Sequence, residues 1–131
     1  MKAGWRLPAE EIDAAVLAAR SVEVVLVEFD GPQVVSVWGP DGAHRLALAC
    51  DVTSAAEVDA LFDKAVDAFG RVDLLFNNAG LGFKSSPPDE IPIDVWNDIV
   101  AVNLTGSFHC ARSAFRVMRK QTPQGGRIIN N

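Results

Sequence analysis

The residues of this chain best suited to chemistry stand where apolar runs stop. Leu74-Leu75-Phe76 ends in Asn77-Asn78-Ala79-Gly80: two amides, a small residue and a glycine. Amides can hydrogen-bond backbone or a ligand, and glycine lets the chain turn or lets something approach it closely. An earlier apolar run over residues 45–50 stops at Asp51-Val52-Thr53. Asp51 could equally cap the helix that follows, a position aspartate favours. Asn103 stands inside a helical pattern, where its amide competes for backbone hydrogen bonds. His109, four residues before Ser113 and beside Cys110, suggests a nucleophile and its base. No acid is spaced to orient the imidazole, so a packed or surface histidine is expected.

These residues need elements to position them. Residues 10–20 read as a short helix with Ile12, Val16 and Ala19 on one face. Residues 22–29 are rich in Val and end at Asp30-Gly31-Pro32; residues 34–38 are β-prone and end at Gly39-Pro40-Asp41-Gly42. His44 is a loop residue before a third strand at 45–50. Ser54-Ala55-Ala56-Glu57 fits a capping box, and Val58, Leu61, Phe62, Ala65, Val66 and Phe69 then recur at helical spacing until Gly70. Residues 72–76 read as a buried strand and 81–92 as a loop, with Asp89, Glu90 and Asp94 as a solvated helix entry. A long helical pattern covers 94–121, with Trp96 expected as its core-facing anchor. Gly125-Gly126 breaks it before a last strand at Arg127-Ile128-Ile129. From residue 45 onward the order is strand, helix, strand, helix, strand. Such alternation implies right-handed crossovers and a parallel sheet with helices on its faces.

The 131 residues suit one domain, and 49% of them are apolar, which is enough for a core. The net charge of −5 argues against a nucleic-acid surface, which needs a basic stripe. Arg116, Arg119 and Lys120 form the one local cluster, as at the solvated end of a helix. Cys50 and Cys110 sit in apolar stretches without metal-ligand spacing and read as buried free thiols in a reducing compartment. The N-terminal residues lack the apolar core of a signal peptide, and no apolar run approaches the ~20 residues of a membrane span. A soluble cytoplasmic protein is expected.

Four pieces stand in order at compatible spacings: Asp51-Val52-Thr53, Asn77-Asn78-Ala79-Gly80, Asn103-Leu104-Thr105-Gly106 and Gly125-Gly126-Arg127-Ile128-Ile129-Asn130. Together they resemble the middle of a short-chain dehydrogenase/reductase, over residues 45–131. The resemblance implies an α/β fold: a partial Rossmann-like, doubly wound parallel sheet in three α/β/α layers. The domain would be single but incomplete over 1–131, with 1–44 divergent. Implied with the fold are NAD or NADP as cofactor and an alcohol or ketone as substrate. Asp51 would accept a hydrogen bond from the adenine amino group, with Val52 beside the ring. Asn78, Ala79 and Gly80 would pass under the cofactor ribose while the Asn pair ties adjacent strands together. Asn103 matches a catalytic asparagine that sits at a helix distortion and holds a water of the proton relay. The family's long helices pack across subunit interfaces, so the helix at 94–121 implies a homo-oligomer. Neither a nucleic acid nor a membrane is implied as a partner.

The chain also departs from the family pattern. The family's general acid/base is a tyrosine, helped by a lysine and a serine, and this chain has no tyrosine. It stops shortly before the serine's expected place. Its early glycines, Gly4, Gly31, Gly39 and Gly42, lack the spacing of the family's phosphate-binding turn. Residues 11–30 do resemble the helix and strand that follow such a turn. On that reading Glu28, or less favourably Asp30, would bind the ribose hydroxyls and favour NAD. Equally, residues 22–50 could form an antiparallel meander, because Gly31-Pro32 and Gly39-Pro40 break helices. In the family's strand order, 3-2-1-4-5, the absent first strand would leave two edges unpaired unless Val34–Trp38 or another chain fills the gap. The expected function is a fragment of an NAD(P)-dependent oxidoreductase, inactive as this chain alone. The alternatives are a non-catalytic partner of an intact relative and an independent nucleotide-binding module.

Overall fold

The computed structural model describes residues 24–28, 34–38 and 45–130. The helix expected at 10–20, the breaks at Asp30-Gly31-Pro32 and Gly39-Pro40, and His44 lie outside the described residues. Five strands form one sheet: β1 (Val24–Glu28), β2 (Val34–Trp38), β3 (Arg45–Ala49), β4 (Leu74–Asn77) and β5 (Arg127–Asn130), in the order β3-β2-β1-β4-β5. β1 pairs parallel with β4, with Val27 opposite Asn77, and β4 pairs parallel with β5, with Asn77 opposite Asn130. β2 is antiparallel to both β1 and β3. Among the described strands, β2 alone therefore runs against the other four.

This arrangement decides between the two readings of residues 22–50 in favour of the meander. It also corrects the expected gap. β1 takes the place beside β4 that the resemblance gives to the family's first strand, and β2 takes the next. Both edges are thereby paired, which matters because an unpaired backbone row inside a sheet costs free energy at every buried group.

Helix α1 (Ala55–Phe69) follows β3. Ser54 is its N-cap, its Oγ accepting the Glu57 N–H at 3.4 Å, so Asp51 is not the cap. Glu57 reaches back to the Asp51 N–H (2.9 Å) instead of the Ser54 N–H, one turn beyond the usual capping box. Val58, Leu61, Phe62 and Ala65 bury one face, and Gly70 ends the helix at φ +82°, donating to the Val66 carbonyl at 2.7 Å. A left-handed residue at this place is what glycine tolerates best.

A second helical run is continuous from Ile93 to Met118. It consists of α2 (Ile93–Ile99), a π-helical segment (Val100–Gly106) and α3 (Ser107–Met118). It stops three residues before the expected end at 121, because Gln121 turns away to bond the backbone of Val72. Trp96 is corrected too: it is 54% exposed, since the early turns of this helix bury nothing. The crossovers β3-α1-β4 and β4-α2/α3-β5 advance in the same direction along the sheet, so right-handedness puts α1 and α3 on one face. There they meet: the buried Ser113 hydroxyl of α3 donates to Asp59 of α1 at 2.6 Å. Phe62, Leu75, Val58, Val72 and Cys110 form the core beneath them, each fully buried apolar side chain contributing about 1.5–3 kcal/mol. The described helices thus cover one face of the sheet.

Candidate functional site

β3, β4 and β5 run the same way, so the segments after Ala49, Asn77 and Asn130 leave the sheet at one carboxyl edge. Ligands of open α/β sheets bind at this edge. The segment after β3 is a tight turn. Ser54 N donates to the Asp51 carbonyl at 3.0 Å. Asp51 Oδ1 accepts from the Thr53 N–H (2.9 Å) and the Thr53 hydroxyl (2.7 Å). Asp51 thereby shapes its own turn, as aspartate does when it bonds the backbone two residues on.

The segment after β4 is held from the helix. Asn103 lies in the π-helical segment, and its amide is bidentate to one residue: Oδ1 accepts from Leu81 N–H at 2.7 Å, and Nδ2 donates to the Leu81 carbonyl at 2.9 Å. Asn103 therefore does sit at a helix distortion, but it fixes the loop that carries Asn78, Ala79 and Gly80. A Cβ at Gly80 would stand 3.7 Å from Asn103 Oδ1, an ordinary contact, and Gly80 has no positive φ. Among the described residues nothing crowds a side chain at this position.

Three residues beyond Asn103, the same helix meets the other segment. A Cβ on Gly106 would stand 2.5 Å from Val52 Cγ2 and 3.1 Å from Val52 Cβ, so only glycine lets this backbone approach Val52. Three residues further, His109 Nδ1 lies 3.0 Å from the Val52 carbonyl. A carbonyl only accepts, so the ring carries its proton on Nδ1 in this bond. Val52 itself is 0% exposed. Its side chain packs in the core. What Val52 offers the site is a fixed backbone.

Asn77 is buried and structural, its Nδ2 donating to Asn130 Oδ1 (2.8 Å) and to the Ser107 carbonyl (3.3 Å), which ties β4, β5 and α3 together. Glu28 ends β1 one residue past the Val27–Asn77 pair, at the same carboxyl edge. Its strand pairs directly with β4, one position nearer than the resemblance requires of a ribose-binding acid. The structure thus joins the Asp51–Thr53 turn and the 78–81 loop through one helical segment. Sequence reasoning missed His109 as the link, because an isolated histidine in a helix gives no sign of its partner.

The remaining polar chemistry is structural. The Ser113 hydroxyl holds the Asp59 carboxyl below its ordinary value, opposed by burial and aided by the Arg112 and Arg116 guanidinium groups. Cys50 and Cys110 are free and buried. Burial first, then the nearby Glu57 and Asp51 carboxylates, pushes the Cys50 thiol up to about 11; burial and Cys50 itself push Cys110 up to about 12. Neither is a nucleophile at neutral pH. Among the described residues no three His, Cys, Asp or Glu side chains group to hold a metal, and no helix is long and apolar enough to cross a membrane. An open groove between α1 and α3, lined by Asp63, Asp67, Arg116 and Lys120, lies toward the opposite end of these helices.

A family model described as short chain dehydrogenase matches residues 13–131, beginning well before the four motifs. The chain is 45% identical over 84 residues to a (5R,7aS)-5-hydroxy-7a-methyl-1-oxo-2,3,5,6,7,7a-hexahydro-1H-indene-carboxyl-CoA reductase of Mycobacterium tuberculosis, covering 64% of this chain and 31% of that protein. Among solved structures it resembles an NAD+-bound xylitol dehydrogenase, with a TM-score of 0.59 and 38% identity over 63% of this chain and 31% of that one. It also resembles ElxO with NADP bound, with a TM-score of 0.56 and 31% identity over 61% of this chain and 32% of that one. The chain thus spans about a third of the length of these relatives.

Proposed function

The chain belongs to the short chain dehydrogenase family, and on that premise we propose that it carries the adenosine-side half of the site of an NAD(P)-dependent oxidoreductase acting on an alcohol or ketone. The observation that carries this reading is the convergence on one helical segment. Asn103 holds the 78–81 loop, and Gly106 and His109 hold Val52, so two segments of the carboxyl edge stand at a set spacing. Asp51 would accept from the adenine amino group, and Asn78, Ala79 and Gly80 would pass under the ribose, where the unforced glycine admits close approach. The residues fit that half of the cofactor. A bound nicotinamide would supply the hydride chemistry. Glu28, at the end of β1, is the residue on which a preference for NAD rests, since an acid beside the ribose would repel a 2′-phosphate.

With no tyrosine, this chain lacks the family's general acid/base, a group worth roughly 10²–10⁴ in rate. We therefore expect cofactor binding without turnover by this chain alone, in a reducing, cytoplasmic setting that suits its free thiols. Titration of the chain with NADH, followed by nicotinamide fluorescence, tests the reading. Saturable binding that competes with adenosine 5′-monophosphate (AMP) is expected, and absence of binding at millimolar cofactor would refute it.

A second reading concerns association. Leu104, Phe108 and Phe115 fall on one helix face at spacings of four and seven residues and are 62–68% exposed. This stripe suits a helix–helix contact with a second copy or with an intact relative as a non-catalytic partner. Sedimentation of the chain and of Phe108→Glu decides: a dimer that the substitution dissociates is expected, and a monomer at all concentrations removes self-association.

A further inference from the structure

We propose that His109 is a positioning residue for the adenosine end of the site: its Nδ1–H holds the Val52 carbonyl, and through it sets where the Asp51–Thr53 turn stands relative to the 78–81 loop. The inference rests on reading that turn as an adenosine contact.

The local hydrogen bonds of the turn join residues within six positions of one another: Thr53 and Ser54 to Asp51, and Asp51 to Glu57. Bonds of this kind give the turn its shape. They do not say how far it stands from a loop that follows another strand. The contacts with the helix do. Gly106 meets the Val52 side chain at van der Waals limit, which sets the closest approach. His109 bonds the Val52 carbonyl at 3.0 Å, which opposes separation. The two residues are three apart and share a helix face. Asn103, three residues earlier, fixes Leu81 through two further bonds, so both walls of the site refer to one rigid segment. A π-helical segment widens the helix where it meets both, and such segments recur at functional sites. Pre-setting the spacing removes an ordering cost that the ligand would otherwise bear.

Two variants separate this role from mere packing. His109→Leu keeps apolar bulk and removes the donor. His109→Asn keeps an N–H at the position equivalent to Nδ1. Each full-length variant is titrated with AMP, and binding is followed on the backbone amides of Thr53, Asn78 and Leu81. The carbonyl-carbon resonance of Val52 is read in the free protein. His109→Leu is expected to move the Val52 carbonyl signal and weaken AMP about fivefold, the worth of one net hydrogen bond. His109→Asn is expected to restore both. Wild-type affinity and an unmoved Val52 signal in His109→Leu overturn the proposal, as does a His109→Asn variant no better than His109→Leu. If the wild-type chain itself does not bind AMP, the adenosine reading fails and the ligand part of the proposal with it. The Val52 signal then decides the structural link alone, since it needs no ligand.

Discussion

The long helix and the residues that follow it use polar side chains in opposite ways at the two ends of the sheet. Near the carboxyl edge, Asn103 and His109 reach out to the backbones of two segments that leave the sheet, and Gly106 withdraws to let one of them approach. The hydrogen bonds from Asn103 and His109 go to main-chain atoms of Leu81 and Val52. At the far end the contacts close on themselves. Gln121 pairs both backbone groups of the buried Val72, at 3.0 Å each, and bonds the Gly125 carbonyl. Arg71 and Asp73 form a two-bonded pair at 2.7 Å, and Arg71 also reaches the Thr122 carbonyl. Between α1 and α3, Arg116 pairs with Asp63 at 3.0 Å. The first end positions loops for something else; the second ends the crossover and holds the helices together. The contrast predicts that stability and ligand affinity respond separately at the two ends.

Gly106→Ala should be the most damaging change, because a Cβ 2.5 Å from Val52 overpacks a fully buried contact, at about 3 kcal/mol. It should lower both the denaturation midpoint and AMP affinity. Adding Val52→Ala should recover part of both losses; simple additivity in that double-mutant cycle would contradict the contact. Gln121→Ala should cost about 2 kcal/mol, since it leaves a buried N–H and a buried carbonyl of Val72 without this partner. AMP affinity of the folded protein should not change; a parallel loss would erase the distinction between the ends.

Ser113→Ala should cost about 1 kcal/mol and should reshape the acid limb of stability. The Asp59 carboxyl is held below its ordinary value in the folded state. Its contribution is therefore complete above the unfolded value of about 3.9 and is lost as pH falls through the lower folded value. Without the hydroxyl the folded value returns toward the unfolded one. Urea titrations from neutral pH downward should then show a shallower acid loss in the variant. Gly80→Ala should change stability least, by less than about 0.5 kcal/mol, because among the described residues its Cβ meets only Asn103 Oδ1 at 3.7 Å. Its effect should appear in AMP affinity instead, and an unimpaired ligand site would show that Gly80 faces nothing.

Much of this was legible in the sequence where the signal is local. The periodicity of Val58, Leu61, Phe62 and Ala65, the Ser54 cap and the Gly70 stop define α1 within a residue. The apolar run before Asn77 marks β4, and the motif series marks the carboxyl edge. Trp96 shows where pattern fails: it lies at the start of a helix whose first turns bury nothing, and hydrophobicity alone cannot tell a core anchor from an exposed face. The contact of Val52 with Gly106 carries no local signal, since the two lie far apart in the chain. Gln121 reads as the tail of a helix until Val72 is brought beside it.

Family membership, the alternation of strands and helices, and the residues at each strand end were determined by the order of amino acids, because periodicity, caps and breakers act over a few neighbours. Which strand stands beside β4, which way β2 runs, and which backbone groups Asn103, Gly106 and His109 hold were decided only by the tertiary structure. Those outcomes depend on pairings between residues tens of positions apart, and no single stretch of chain specifies both partners.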